Sequence, residues 1–111
     1  YLYLVKSKSM SLLGGEFKIN VHVEPIDGYS MNDYDFQCSF YVYTNRVVTI
    51  KKEDMKMVDK DNFRAMIESE QCLKIGKGML NMEITAYIPD TDFPDGYRTE
   101  KAVTCTGVVI V

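Results

Sequence analysis

Met79-Leu-Asn-Met-Glu-Ile-Thr-Ala-Tyr-Ile-Pro-Asp-Thr-Asp-Phe-Pro-Asp-Gly-Tyr-Arg98 is the stretch on which the fold turns. Apolar side chains fall on Leu80, Met82, Ile84, Ala86 and Ile88, with Asn81, Glu83, Thr85 and Tyr87 between them. Alternation with a period of two marks a strand that lays one face on a core. Pro89 lacks a backbone donor and ends the ladder. Asp95-Gly96 tolerates positive φ and lets the chain reverse. The stretch therefore predicts a strand, a turn and the start of a second strand.

Upstream, the same period recurs. Phe17, Ile19, Val21 and Val23 alternate with Lys18, Asn20 and His22, and Phe36, Cys38, Phe40 and Val42 with Gln37, Ser39, Tyr41 and Tyr43. A short strand is expected over 47–50, and another over 63–67 with Phe63, Ala65 and Ile67 inward. A helix over 60–72 is the rival there, because Lys60, Arg64 and Glu68 have helical spacing. Residues 69–78 read as a loop with room for one helical turn, and 55–60 have no clear pattern. The final strand, to Val111, splits into Val103, Cys105, Gly107, Val109, Val111 and Ala102, Thr104, Thr106, Val108, Ile110. Gly107 suggests a bulge, or else both faces are buried from Val108 onward.

These signals give an all-β, antiparallel, immunoglobulin-like β-sandwich of about seven strands. The strand-C tryptophan and spaced cysteine pair of antibody domains are absent, so the likeness is architectural. Residues 1–14 are expected to form an N-terminal arm and linker, and 15–111 the sandwich. Tyr1 to Val5 is β-prone. It either packs on its own domain or exchanges onto a neighbour.

Length and composition narrow the function. The 111 residues make one domain, 46% hydrophobic and 26% charged, with a net charge of −3. That charge disfavours nucleic acid or an anionic membrane as the main partner. The three cysteines include no Cys-x-x-Cys pair, which argues against structural zinc and a disulfide framework. They read as buried free thiols acting as small hydrophobes. No signal peptide or membrane-spanning run is expected.

Candidate chemistry is sparse. Asp90, Asp92 and Asp95 could ring a cation. An EF-hand numbered from Asp90 would need Gly and Glu where Asp95 and Lys101 stand, so an Asx-capped turn is the expectation. Gly76-Lys77-Gly78 lacks the spacing of a phosphate loop. His22 lies on the polar side of its strand with no second ligand in register. No catalytic, metal or cofactor-binding residue is assigned, and enzymatic function is not expected. Interface candidates are Tyr1, Tyr3, Val5, Tyr41 and Tyr43, in keeping with eight tyrosines against no tryptophan.

One resemblance adds to this. Ile88-Pro-Asp-Thr-Asp-Phe-Pro-Asp-Gly-Tyr-Arg98, preceded by Gly76-Lys-Gly-Met-Leu-Asn-Met-Glu-Ile84, resembles small structural proteins of tailed phages and prophages of gut Bacteroidetes, crAss-like phages included. Gly15-Glu-Phe-Lys-Ile19, Asp33-Tyr-Asp-Phe36 and Tyr43-Thr-Asn45 are similar in order to the N-terminal β-sandwich of phage baseplate upper proteins. The likeness covers most of residues 15–111, and only the Pro-Asp-x-Asp-Phe-Pro-Asp-Gly turn is sharp. It implies a virion component of tail, baseplate, neck or head fibre, made in the bacterial cytoplasm. Such a component would bind other virion proteins, with a homo-oligomer as a further option. It carries over no active site. The alternative is a carbohydrate-binding or adhesin-like surface module, with Tyr29, Tyr34 and Tyr97 as the residues to stack on sugars.

Overall fold

Two sheets face one another and place their alternating apolar side chains between them. The structure is a computed structural model that describes residues 2–4 and 9–111, with side chains from residue 10 onward. The strands are β1 (Leu2–Leu4), β2 (Ser9–Ser11), β3 (Phe17–Val23), β4 (Asp35–Tyr41), β5 (Val48–Lys51), β6 (Lys56–Asp59), β7 (Asn62–Ile67), β8 (Gly78–Pro89) and β9 (Tyr97–Ile110). One helix, α1 (Ser69–Ile75), joins β7 to β8. The sheets are ordered β1-β3-β7-β6 and β2-β9-β8-β4-β5. That is the A-B-E-D order against G-F-C with a C′ strand at its edge, so the chain is an immunoglobulin-like β-sandwich.

The expected alternation holds in the core. Ile19, Val21, Val23, Phe63, Ala65 and Ile67 face in from one sheet. Phe36, Cys38, Phe40, Leu80, Met82, Ile84, Ala86 and Ile88 face in from the other. Phe36 and Phe63 meet edge to face across the layer, 5.1 Å between centroids.

Several expectations need correction. Nine strands are present among the described residues rather than about seven, because Ser9–Ser11 and Lys56–Asp59 are strands too. Ser9–Ser11 lies inside the stretch read as arm and linker, and it pairs with β9 in parallel, the one departure from antiparallel pairing among the described residues. Leu2–Leu4 pairs with β3. Tyr1 and Val5 lie outside the described residues. The 60–72 ambiguity resolves into both states: β7 as expected, then a two-turn α1 where a loop was expected. Gln71 Oε1 accepts from Glu68 N at 2.8 Å, and Gly76, at φ 88°, closes the helix by donating to Cys72 O at 3.1 Å.

The bulge at Gly107 is present. The register of β8 on β9 passes from Met79↔Val109 to Asn81↔Cys105, and Gly107 stands at φ 81°. Since β9 gains two residues on β8 there, the inward set keeps its parity. Thr106, Val108 and Ile110 are all buried, while Val103 and Cys105 are exposed.

Both ends of the sandwich are plugged. At one pole Cys72 and Ile75 of α1 are fully buried; at the other Met31 and Tyr34, around the 3-10 turn Met31–Asp33, are buried. In each pair the residues are three apart, the spacing of one helical face.

Candidate interaction surfaces

The hairpin pole is built around Arg98. The β8–β9 turn closes by Asp90 N donating to Gly96 O at 2.9 Å, Gly96 N to Phe93 O at 2.9 Å and Phe93 N to Asp90 O at 3.3 Å. Asp90 Oδ1 accepts from Asp92 N at 3.0 Å, the expected Asx cap. Arg98 Nη1 donates to Asp90 Oδ2 at 3.0 Å, its Nε to Glu100 Oε1 at 3.0 Å, and its Nη2 to Asp27 Oδ2 in the β3–β4 loop. The Asp92 amide and then Arg98 hold the Asp90 carboxyl below the usual range. At the tip Phe93 is 47% exposed.

Beside this pole an open cleft of about 960 Å³ is floored by Phe36, Phe63 and Met55 and walled by Lys52, Tyr87 and Tyr97. Lys52 Nζ donates to Tyr34 O at 2.7 Å and Asn32 O at 3.2 Å, and stands 5.7 Å from the centroids of both Phe36 and Phe63. Its ammonium closes the last carbonyls of the 3-10 turn and at the same time faces the rings of the aromatic floor as a cation. Of the three tyrosines expected to stack on sugars, Tyr34 is only 4% exposed. Burial, then the Asp61 and Asp33 carboxylates, push its phenol up to about 12. Tyr29 is half-buried against the core. Tyr97 is exposed but engaged edge to face with Tyr87, centroids 5.6 Å apart. The three do not form one platform.

The helix pole is apolar. Leu12 (74% exposed) and Leu73 (50%) project there, joined by Leu13, Tyr43 (53%) and Val111. Local contacts bring them together. Ser69 Oγ donates to Gly14 O at 2.6 Å, Leu13 N donates to Val111 O at 2.9 Å, and a Cβ at Gly14 would touch Leu73 at 3.4 Å. A Cβ at Gly76 would meet Arg46 at 3.3 Å and Tyr43 at 3.8 Å, which puts both beside the end of α1. The patch continues onto the outer sheet face through the cross-strand row Met10, Val109, Met79, in which Met10 is 75% and Met79 54% exposed.

Of the expected interface residues, Tyr43 lies on this pole. Tyr41 is half-buried on the outer sheet face opposite Asn81, at the end of β4, and Tyr43 follows two residues beyond the strand. Tyr3 pairs through its backbone with His22. The aliphatic members, Leu12, Leu13, Leu73 and Met79, were missed. Strand alternation gives no signal for Leu12 and Leu13 in a turn or Leu73 in a helix, and Met79 falls on the outward side of its strand. His22 is half-buried, with Nδ1 3.0 Å from Asn62 Oδ1. No group of three or more potential metal ligands occurs among the described residues.

Fold and surfaces together define an immunoglobulin-like β-sandwich with an acidic, braced hairpin at one pole and an apolar patch at the other. No protein-family model and no curated protein matches the chain. Among solved structures, one described as murine CRIg is similar over 99% of this chain and 96% of that chain, at 14% identity and a TM-score of 0.44. That likeness carries no argument about function.

Proposed function

We propose that this is a non-enzymatic assembly protein that docks by its apolar helix pole onto a protein partner within a phage particle. The observation that carries the docking reading is the patch of Leu12, Leu13, Leu73, Tyr43 and Met79, exposed together at one end of the sandwich. Contiguous apolar surface of this kind marks interaction sites in soluble proteins. The virion setting is supported by the resemblance of residues 76–98 to phage structural proteins.

The test is incorporation. A tagged wild-type chain should co-purify with particles made by the phage or prophage that encodes it. Leu12→Asp/Leu73→Asp, both at exposed positions, should fold and stay in the supernatant. A wild-type chain absent from purified particles would sink the virion reading. A double variant that is incorporated normally would sink the docking pole.

The second reading, a surface module that binds carbohydrate, is favoured by the Tyr87–Tyr97 pair beside the polar-walled cleft. It predicts glycan binding that is lost in Tyr97→Ala. A glycan screen without a hit, or binding retained by Tyr97→Ala, counts against it.

A further inference from the structure

The two poles carry complementary chemistry. At the hairpin pole Phe93 stands between Asp92 and Asp95, on a turn braced by three backbone hydrogen bonds and the Arg98 cluster. An aromatic side chain carried on a turn whose backbone is already fixed needs only its own rotamer ordered on docking. Asp92 and Asp95, unlike Asp90, take part in no ion pair among the described residues. At the helix pole the cations Arg46, Lys74 and Lys77 also lie in no ion pair among the described residues. Lys74 follows exposed Leu73, and Arg46 sits beside Tyr43 at the helix end. The pole also carries carboxylates, exposed Glu16 just ahead of β3 and Glu68 and Glu70 at the N-terminal end of α1, while the three cations gather at the helix's C-terminal end.

We propose that the hairpin tip of one copy docks on the helix pole of the next. Phe93 lies against Leu73, Leu12 and Tyr43, and Asp92 and Asp95 face Arg46, Lys74 and Lys77. This rests on the reading of the helix pole as a docking surface and names a second copy of this chain as its occupant. Two different surfaces meet, so the contact is heterologous and propagates into a stack or ring. The molecule measures 45 × 27 × 20 Å. Fourteen residues of β9 at about 3.3 Å each account for the long dimension. The end-on cross-section of 27 × 20 Å gives about 540 Å² per partner, below the roughly 800 Å² of a standard interface. The contact is therefore weak, and forms at high protein concentration or on a particle that concentrates the copies.

Sedimentation velocity of the full chain, from micromolar to millimolar, tests this. The average mass of the wild type should climb without levelling at a dimer. Phe93→Ala should weaken association by about tenfold or more, as loss of a central aromatic anchor does. Lys74→Glu/Lys77→Glu should do the same, and adding Asp92→Lys/Asp95→Lys should restore it. A wild type that stays monomeric at millimolar concentration, a mass that stops at dimer, an unaffected Phe93→Ala or a failed rescue each overturns the stacking. If Leu12→Asp/Leu73→Asp loses particle incorporation while Phe93→Ala keeps it and keeps the wild-type mass profile, stacking alone falls. If Leu12→Asp/Leu73→Asp is incorporated normally, the helix pole falls as a docking surface too.

Discussion

Arg98 donates to Asp90 across the mouth of the β8–β9 hairpin, Nη1 to Oδ2 at 3.0 Å, and its other nitrogens reach Glu100 and the β3–β4 loop at Asp27. One cation thus joins a turn to a separate loop, with three carboxylates around it. Arg98→Gln should leave the sheets intact and loosen residues 90–96. Isolated partly exposed ion pairs contribute little to global stability, so the melting temperature should move by only a few degrees. Amide exchange at Phe93 and Gly96 should speed up severalfold. High salt should reproduce part of that effect in the wild type and add little in the variant. Unchanged exchange at both amides would show that backbone hydrogen bonds alone hold the turn.

Stability should form a plateau with an acid and an alkaline limb. Asp90 and Asp59 are held below the ordinary carboxyl value of 3.8: Asp90 by the Asp92 amide and Arg98, Asp59 by Asn62 and the Asp61 amide. A depressed acid binds its proton less readily in the folded chain, so its contribution is present above pH 3.8 and is lost as pH falls below it. Tyr34 and Cys38 go the other way. Burial raises Tyr34 from 10.0 and Cys38 from 9.0, each to about 12. The folded chain keeps those protons, so their contribution is full below pH 9 and declines between pH 9 and 12. Thermal melts from acid to alkali should show both limbs, and Tyr34→Phe should make the alkaline one shallower. An alkaline limb of unchanged slope in that variant would assign the whole decline to Cys38 and other groups.

Lys52 couples the cleft floor to the β3–β4 loop. Its ammonium closes the Tyr34 and Asn32 carbonyls and stands over the rings of Phe36 and Phe63, 5.7 Å from each centroid. Lys52→Ala loses two charge-assisted hydrogen bonds and the packing of the stem, a cost of about 1–2 kcal/mol. In a domain of this size that lowers the melting temperature by roughly 5–15 °C. Lys52→Met keeps the stem and should fall between the two. Equal melting of Met and Ala variants would mean that the stem contributes nothing.

The sheets were legible because their signal is local. Leu80 to Ile88 and Phe36 to Phe40 alternate strictly, and a strand with one face on a core needs little else. The poles were not, because the residues that plug them follow different rules. Cys72 and Ile75 have helical spacing inside a helix of seven residues, too short to show a period. Its caps were the readable signs: Gln71 reaching back to Glu68 falls inside the 60–72 span of the rival helix, and Gly76 after Ile75 lies four residues beyond it. Leu12 and Leu73 are far apart in sequence and are joined only once Ser69 grips the Gly14 carbonyl. The Asp90 cap was read from its own turn, whereas the bond from Arg98 to Asp27 spans 71 positions and leaves no mark in either segment.

Gly78 opens β8 where the backbone crosses close to Val42. Its φ is +134°, and a Cβ there would stand 2.7 Å from Val42 Cγ1. Gly78→Ala therefore meets both backbone strain and a clash with a side chain stiff at χ1. A destabilisation of about 2–3 kcal/mol is expected. In the double variant Gly78→Ala/Val42→Ala the clash is gone and the strain remains. Urea unfolding should thus show the second substitution costing less in the Gly78→Ala background than in the wild type. Additive costs would mean that Val42 already yields.

The three thiols should differ sharply in reactivity. Cys38 and Cys72 are fully buried, and Cys105 is exposed on the outer face of β9. Burial also pushes the Cys38 thiol up to about 12, which suppresses the thiolate that reacts. In the native protein one equivalent of an aromatic disulfide reagent should react quickly, and Cys105→Ser should abolish that phase. The other two should follow only at the rate of unfolding, and all three should react at once in denaturant. Cys105 lies on the outer sheet face at the register of Asn81 and Tyr41, one outward position along β8 from Met79 at the edge of the apolar patch. A label there reports on the sheet face beside that edge. If copies stack end to end, Cys105 keeps its native reactivity at concentrations where the mass has risen. Protection of Cys105 in step with association would instead assign the contact to the sheet face.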